Sequence, residues 1–355
     1  MSIAGKKIFW VFLFFLVALP EAWPVEKGPI RVRLFSRHEV PQVQIDDLHL
    51  SASGTQNFPQ RILPREGVPL RLRLANGVTR RLNYPLLVRK RGGRLEIFAE
   101  LPLEKYVTAV LASELPGNFP MESLKAQAVI IRTLALKGEP RHAQEGFDFC
   151  DSTHCQLFLP PEKVPAIFEA AARQTQGMVL TFRGSLIAGL YHSSCGGHTS
   201  PNHRVFGGKP LPYLRGVNDG TFCSDSPHHR WKAEISREEL RKVFQENSPM
   251  MQIHPLDRDG GGRIFLLETY APQRQTWSAQ EFLLRLGRSL GWNKIKSALF
   301  QVEISGDFFT FSGRGLGHGV GLCQWGARGM ALQGHDYRKI LQHYFPGTQV
   351  RRMSL

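Results

Sequence analysis

The sequence predicts an α+β fold: a strand-rich N-terminal unit over residues 28–98 and a larger mixed α/β domain over 99–355, with two adjacent helices near its start. Three observations carry this. Apolar residues alternate with arginines up to about Leu101, the spacing then becomes helical, and strand-like and helix-like segments mix thereafter without an internal repeat.

The chain opens with Lys6 and Lys7 ahead of an apolar run of twelve residues, Ile8 to Leu19. A bilayer span needs about 20, so residues 1–22 read as a secretory signal. The cleavage region is not a clean A-x-A, which leaves an uncleaved membrane anchor as the alternative. Either reading places the remainder outside the cytoplasm, in the periplasm or at the cell wall, with membrane contact only through this segment.

In "PIRVRLF", Ile30, Val32 and Leu34 alternate with Arg31 and Arg33, and "PLRLRLANGVTRRL" repeats the pattern around Asn76-Gly77, a hairpin signal. Gly92-Gly93 marks a second turn between "LLVRK" and "LEIFAEL". Arginine at alternate positions gives these strands one wet face, which suits a supporting element.

Helical spacing begins in "LPLEKYVTAVLASEL", with Leu103, Val107, Val110 and Leu111 on one side and Pro116-Gly117 as the stop. In "FPMESLKAQAVIIRTLALKG", Pro120 suits a first turn, Glu122 complements the helix dipole and Gly138 ends the helix. Its buried stripe should be Leu124, Ala128, Ile131 and Ala135. Strands are expected at "GMVLTF" and "LIAGLYHSS", and helices at "SREELRKVFQ", "SAQEFLLRLGRSL" and "DYRKILQHYF".

The formal charge is +15, and +14 without residues 1–22. Such a balance suits an acidic partner such as a cell-wall polymer or a lipid surface. No RNP-type motif, zinc-finger spacing or basic helix supports nucleic-acid binding.

The segment "GRGLGHGVGLCQWGA", 313–327, has glycine at every second position to Gly321. It lacks the Lys-Ser/Thr of a P-loop and the acidic partner of a dinucleotide fingerprint. Two readings stay open: a bare face on which a flat ligand such as a sugar ring lies, or a tight glycine-rich crossover inside a core.

Glu114 closes the first helix. Helix-end carbonyls disfavour ionisation there, as do its neighbours Leu111 and Leu115 in a partly closed site, and a carboxyl that keeps its proton near neutral pH suits general acid catalysis; the alternative is a solvent-exposed glutamate at a helix end.

Together, "LPLEKYVTAVLASELPGNFPMESLKAQAVIIRTLAL", "DSTHCQLF", "YHSSCGGHTS" and "GRGLGHGVGLCQWGARGMA", in this order from about Leu101 to Gly347, make the chain resemble the stage II sporulation protein D (SpoIID/LytB-type) family. The resemblance implies a peptidoglycan lytic transglycosylase, with Glu114 in "ASELP" as the catalytic acid. Such an enzyme needs no second carboxylate, because the sugar's own 6-hydroxyl attacks the anomeric carbon and leaves a 1,6-anhydro-muramic end. No obvious second carboxylate stands in the matching blocks. By similarity, Gln127, Arg132, Gln156, Tyr191, Ser193, His318 and Gln324 are candidate glycan contacts, and catalysis requires no cofactor. The implied partners are glycan strands and a possible cell-wall amidase. The rival reading is a non-catalytic wall-binding protein that enhances such an amidase.

His142, Cys150, His154 and Cys155 could close a tetrahedral structural zinc site. A Cys150–Cys155 disulfide, natural in an exported chain, and free thiols are the alternatives. The five cysteines cannot all pair. With zinc on the first two, Cys195 and Cys223 could pair and leave Cys323, where family members commonly carry serine.

Overall fold

A computed structural model describes residues 28–138, 142–246, 250, 252–271 and 273–353. The expected signal segment lies outside the described residues. Among the described residues, no helix is long and apolar enough to cross a membrane.

The N-terminal alternation builds two sheets. One runs Leu48–Ser51, Gln42–Ile45, Leu70–Leu74, Thr79–Leu82, and the other runs Gln60–Ile62, Leu86–Arg91, Arg94–Leu101, Ile30–Leu34, Phe149–Cys150. Both hairpins form as expected. Gly92 and Gly93 adopt φ of 57° and 74°, the left-handed pair that a two-residue turn between twisted strands requires. Leu70, Leu72 and Leu74 are buried while Arg71 and Arg73 are exposed.

The strands do not, however, form a separate domain. Their inner face shares one core with helices α1 (Leu103–Glu114), α2 (Met121–Lys137) and α3 (Ala166–Gln174). Strand Phe149–Cys150 also returns to pair in parallel with Ile30–Leu34. A boundary at 98/99 therefore cuts through a core, because the wet arginine face covers only one side of the sheet.

Helix α2 holds the molecule together. Leu124, Ala128, Ile131 and Ala135 form the expected stripe in the first core, while Ala126, Val129 and Ile130 face a second core. That second core is closed by strand Met178–Phe182, by the short α4 (Asn202–Phe206) and by helices introduced below. A helix apolar on two sides must lie between layers.

Residues 231–313 form a unit with its own core, which the sequence reading did not separate from the larger domain. It contains strands Trp231–Ser236, Phe308–Gly313 and Phe300–Ser305 in one sheet, and Gln252–Arg258, Ile264–Ala271 and Gln273–Ser278 in another. Helices α5 (Arg237–Phe244) and α6 (Ala279–Leu290) pack on them. Both helices were expected, and Ser236 and Ser278 cap them through the amides of Glu239 and Glu281. The chain then returns through α7 (Gln324–Leu332) and the expected α8 (Tyr337–Tyr344).

"LIAGLYHSS" is not one strand. Ser185–Leu186 pairs with Met178–Phe182, Tyr191–His192 pairs in parallel with Leu322–Cys323, and Gly189 lies between them against the backbone of α2.

The glycine run is a close crossover, which decides between the two readings left open. Gly315, at φ 78°, would place a Cβ 2.6 Å from the Ser194 carbonyl, and Gly321, at φ 77°, one 2.1 Å from the Leu190 carbonyl. Gly315 and Gly321 thus face neighbouring backbone inside the protein, and Gly313 and Gly319 face the side chains of Trp231 and Arg263. Gly321→Ala should cost at least about 1–2 kcal/mol from backbone conformation alone, read as a lowered urea midpoint. Gly77→Ala, with open space at its Cβ, should cost less.

Candidate active site

Glu114 ends α1 at the floor of a cleft of about 380 Å³ lined also by Asp148, His154, Tyr191, Ser193, His318 and Gln324. The parallel pairing of Tyr191–His192 with Leu322–Cys323 sets the wall: it places Tyr191 and Ser193 beside Gln324, and the Trp325 amide donates to the Ser193 carbonyl at 3.0 Å. The tight glycine crossover brings His318 to the cleft, its ring centroid 5.4 Å from that of His192.

Glu114 Oε1 accepts from the Leu157 amide at 2.9 Å and from the Tyr191 hydroxyl at 3.0 Å. Burial raises its pKa above the ordinary carboxylate value, and these hydrogen bonds, which favour the charged form, draw it partly back. The cause is therefore desolvation within a cleft, and a helix-end position alone does not supply it. Gln324 faces the carboxyl and favours its charged form, although its buried Nε2 lies outside close hydrogen-bond geometry. A buried amide so loosely held beside a partly desolvated acid leaves room for a ligand oxygen.

His318 is held neutral: burial lowers its pKa to about 4. Its Nδ1 accepts from the Val320 amide at 3.0 Å, which leaves the proton on Nε2. That proton is directed at the Tyr191 backbone, and the ring cannot serve as a cation.

Three of the expected glycan contacts lie elsewhere. Arg132 is fully buried and donates to both Glu104 carboxylate oxygens at 2.8 and 2.7 Å, and to the Met178 and Ala172 carbonyls. Its donors tie α2 to α1, α3 and the next strand. Gln127 is also interior, on the side of α2 between the two cores, and neither of its amide atoms has a hydrogen-bond partner. Gln156 is buried behind Tyr191: its Oε1 accepts from Tyr106 at 2.9 Å and its Nε2 donates to the Tyr191 hydroxyl at 3.4 Å. It acts on Glu114 through Tyr191 and does not line the cleft.

The cleft also holds a residue the sequence reading missed. Asp148 is a second carboxylate on its lining, with Oδ2 accepting from the Arg31 amide at 2.8 Å. Its place six residues before His154 was the available signal, but nothing local shows that the return to strand Ile30–Leu34 turns it toward Glu114.

His142, Cys150, His154 and Cys155 converge on the rim of the same cleft. Cys150 Sγ lies 3.5 Å from Cys155 Sγ and 3.7 Å from His154 Nδ1, and Cys155 Sγ lies 3.5 Å from His142 Nε2. Edges of roughly 3.5–3.8 Å are what a tetrahedron with zinc-length bonds has. His142 Nδ1 meets Glu145 Oε1 at 2.7 Å, which orients Nε2 inward as an outer carboxylate does at metal sites. None of the five cysteines is in a disulfide.

Fold and site together define a mixed α+β protein with a partly desolvated carboxyl group at a helix end in a polar cleft. A stage II sporulation protein (SpoIID) family model matches residues 91–182, and a domain of unknown function (DUF8618) matches 216–321, a span that encloses the 231–313 unit. An uncharacterised protein of Brachyspira hyodysenteriae is 31% identical over 71% of this chain and 67% of its own length. Stage II sporulation protein D of Bacillus subtilis is 29% identical over 70% of this chain and 74% of its own. The amidase enhancer of B. subtilis is 25% identical over 67% of this chain and 39% of its own. The chain belongs to the stage II sporulation protein D family.

Proposed function

We propose that this protein is a peptidoglycan lytic transglycosylase, acting outside the cytoplasm in sporulation-related remodelling of cell-wall glycan strands. The observation that carries the reading is the state of Glu114: a carboxyl raised in pKa by burial, aligned by Tyr191 and open to a cleft. Protonated Glu114 gives its proton to the glycosidic oxygen as the bond to the anomeric carbon breaks. The resulting carboxylate takes the proton of the sugar's 6-hydroxyl as that oxygen bonds to the same carbon, which restores the acid and leaves the 1,6-anhydro ring. Gln324 supplies a hydrogen bond to the sugar, neutral His318 lines the cleft, and Ser193 adds a hydroxyl on the same wall as Gln324. Two of the relatives are named for sporulation and for amidase enhancement, with which this setting is consistent.

Zinc on His142, Cys150, His154 and Cys155 would fix the rim beside the cleft as a structural ion, with no role in bond cleavage. The rival function, an amidase enhancer that binds wall without cleaving it, draws on the relative of that name.

Incubating glycan strands stripped of stem peptides with the protein and reading products by mass spectrometry tests the reading. Anhydro-ended fragments are expected from the wild type and from Asp148→Asn. Hydrated ends, or loss of all cleavage in Asp148→Asn alone, would point to a water-using two-carboxylate reaction. No cleavage by the wild type would favour the enhancer.

Tyr191→Phe removes a hydrogen bond that favours ionised Glu114. The Glu114 pKa should then rise further, and the alkaline limb of the kcat/KM profile should move up by roughly one pH unit. A downward or absent shift would deny Tyr191 this positioning role.

A further inference from the structure

A second set of donors lies away from the cleft, wholly inside the protein. Cys195, Asp219, Cys223 and Cys323 are all buried, and one ligand atom from each lies within 4.8 Å of the others. They come from three distant stretches: the loop after strand Tyr191–His192, the turn 219–223 and the residue that caps α7. We propose that these four residues form a second, structural zinc site that fastens the wall carrying Ser193 and Gln324.

The geometry fits a tetrahedron. Cys195 Sγ lies 3.6 Å from Cys223 Sγ and 3.2 Å from Asp219 Oδ2, close to the roughly 3.5–3.8 Å edges that zinc–sulfur and zinc–oxygen bonds produce. Backbone amides point at the sulfurs, as thiolate ligands require: those of Cys195 and Gly326 donate to Cys323 Sγ at 3.2 and 3.3 Å, and that of Gly197 to Cys195 Sγ at 3.4 Å. The Tyr344 hydroxyl donates to Asp219 Oδ1 and leaves Oδ2 turned toward the sulfurs. A Cβ at Gly326 would come within 2.7 Å of both carboxylate oxygens, so the backbone is shaped around this group.

A buried carboxylate ordinarily has a cation or a metal as its partner. Among the described residues the cationic candidate at Asp219 is His343, whose Nε2 lies 3.9 Å away, beyond hydrogen-bond distance. A Cys195–Cys223 disulfide would use two sulfurs and leave the third beside this unneutralised carboxylate. A divalent, thiophilic ion satisfies all four groups at once and leaves no open position, the mark of a structural site.

This proposal is independent of the catalytic reading, and its test needs no activity. Full-length protein, purified without a histidine tag, a reductant or a chelator, is analysed by elemental mass spectrometry. The wild type should carry about two zinc ions per chain, Cys150→Ser/Cys155→Ser about one, and that variant with Cys223→Ser added about none. Should the triple variant fail to fold, Tyr344→Phe in the double-variant background should release its zinc to a chelator at about 10–100-fold lower chelator concentration. A double variant that carries no zinc, or whose zinc is retained unchanged by Tyr344→Phe, overturns the proposal. So does an intact mass, under denaturing non-reducing conditions, lighter than the reduced chain by the two hydrogens a disulfide removes.

Discussion

Glu114→Gln is expected to lower the rate of anhydro-product formation by about 10²–10⁴-fold, the range a positioned general acid supplies. The change is nearly isosteric, and the amide oxygen can still accept from the Leu157 amide and the Tyr191 hydroxyl. Fold and glycan binding should therefore persist, and the loss should fall on kcat with KM little changed. Single-turnover cleavage of stripped strands, with sedimentation of the protein on the same strands, separates the two. Equal anhydro product from wild type and variant would dismiss Glu114 as the acid. Undiminished binding without turnover in both would leave the enhancer reading standing.

Arg132→Met is expected to have the largest effect on stability, about 3–5 kcal/mol, because it strands one member of a largely buried ion pair. The guanidinium is fully buried, Glu104 is 27% exposed, and two carbonyls lose their donor as well. Urea denaturation measures the loss. Adding Glu104→Gln should recover part of it, since the remaining carboxylate charge is then removed. If Arg132 instead held glycan, the single variant would keep its urea midpoint and show a raised KM.

Other side chains show where local reading reaches its limit. The alternation in "PLRLRL" and the stripe of Leu124, Ala128, Ile131 and Ala135 were readable because a strand face or a helix side repeats at a fixed interval, whatever it packs against. Glu114 was readable as a candidate acid through its helix-end position and the motif around it, and the structure places it in the cleft. Helix α2 misled at Gln127 and Arg132. A polar residue on α2 reads as a cleft contact until the second core is known to cover the other side of the helix. Asp148 was missed for the converse reason, since the pairing of Phe149–Cys150 with a strand more than a hundred residues earlier brings it to the cleft.

The glycine run and the cysteines teach the same lesson at longer range. Alternate glycines announce a close approach, but only the carbonyls of Leu190 and Ser194 show that backbone, and not sugar, makes it. His142, Cys150, His154 and Cys155 are neighbours in the chain and could be grouped by eye. Cys195, Asp219, Cys223 and Cys323 are scattered across 129 residues of sequence, where the three cysteines suggest at most a possible Cys195–Cys223 disulfide and a leftover thiol, and nothing marks Asp219.

The sequence by itself determined the α+β class, the strand and helix periods and the family, and it singled out Glu114 as the candidate acid, because each depends on short-range order or on an ungapped motif. Tertiary structure decided the shared first core, the separate 231–313 unit, the membership of the cleft and the buried sulfur cluster. These depend on which distant surfaces exclude water together, and that is a property of the packed chain, not of any one stretch of it.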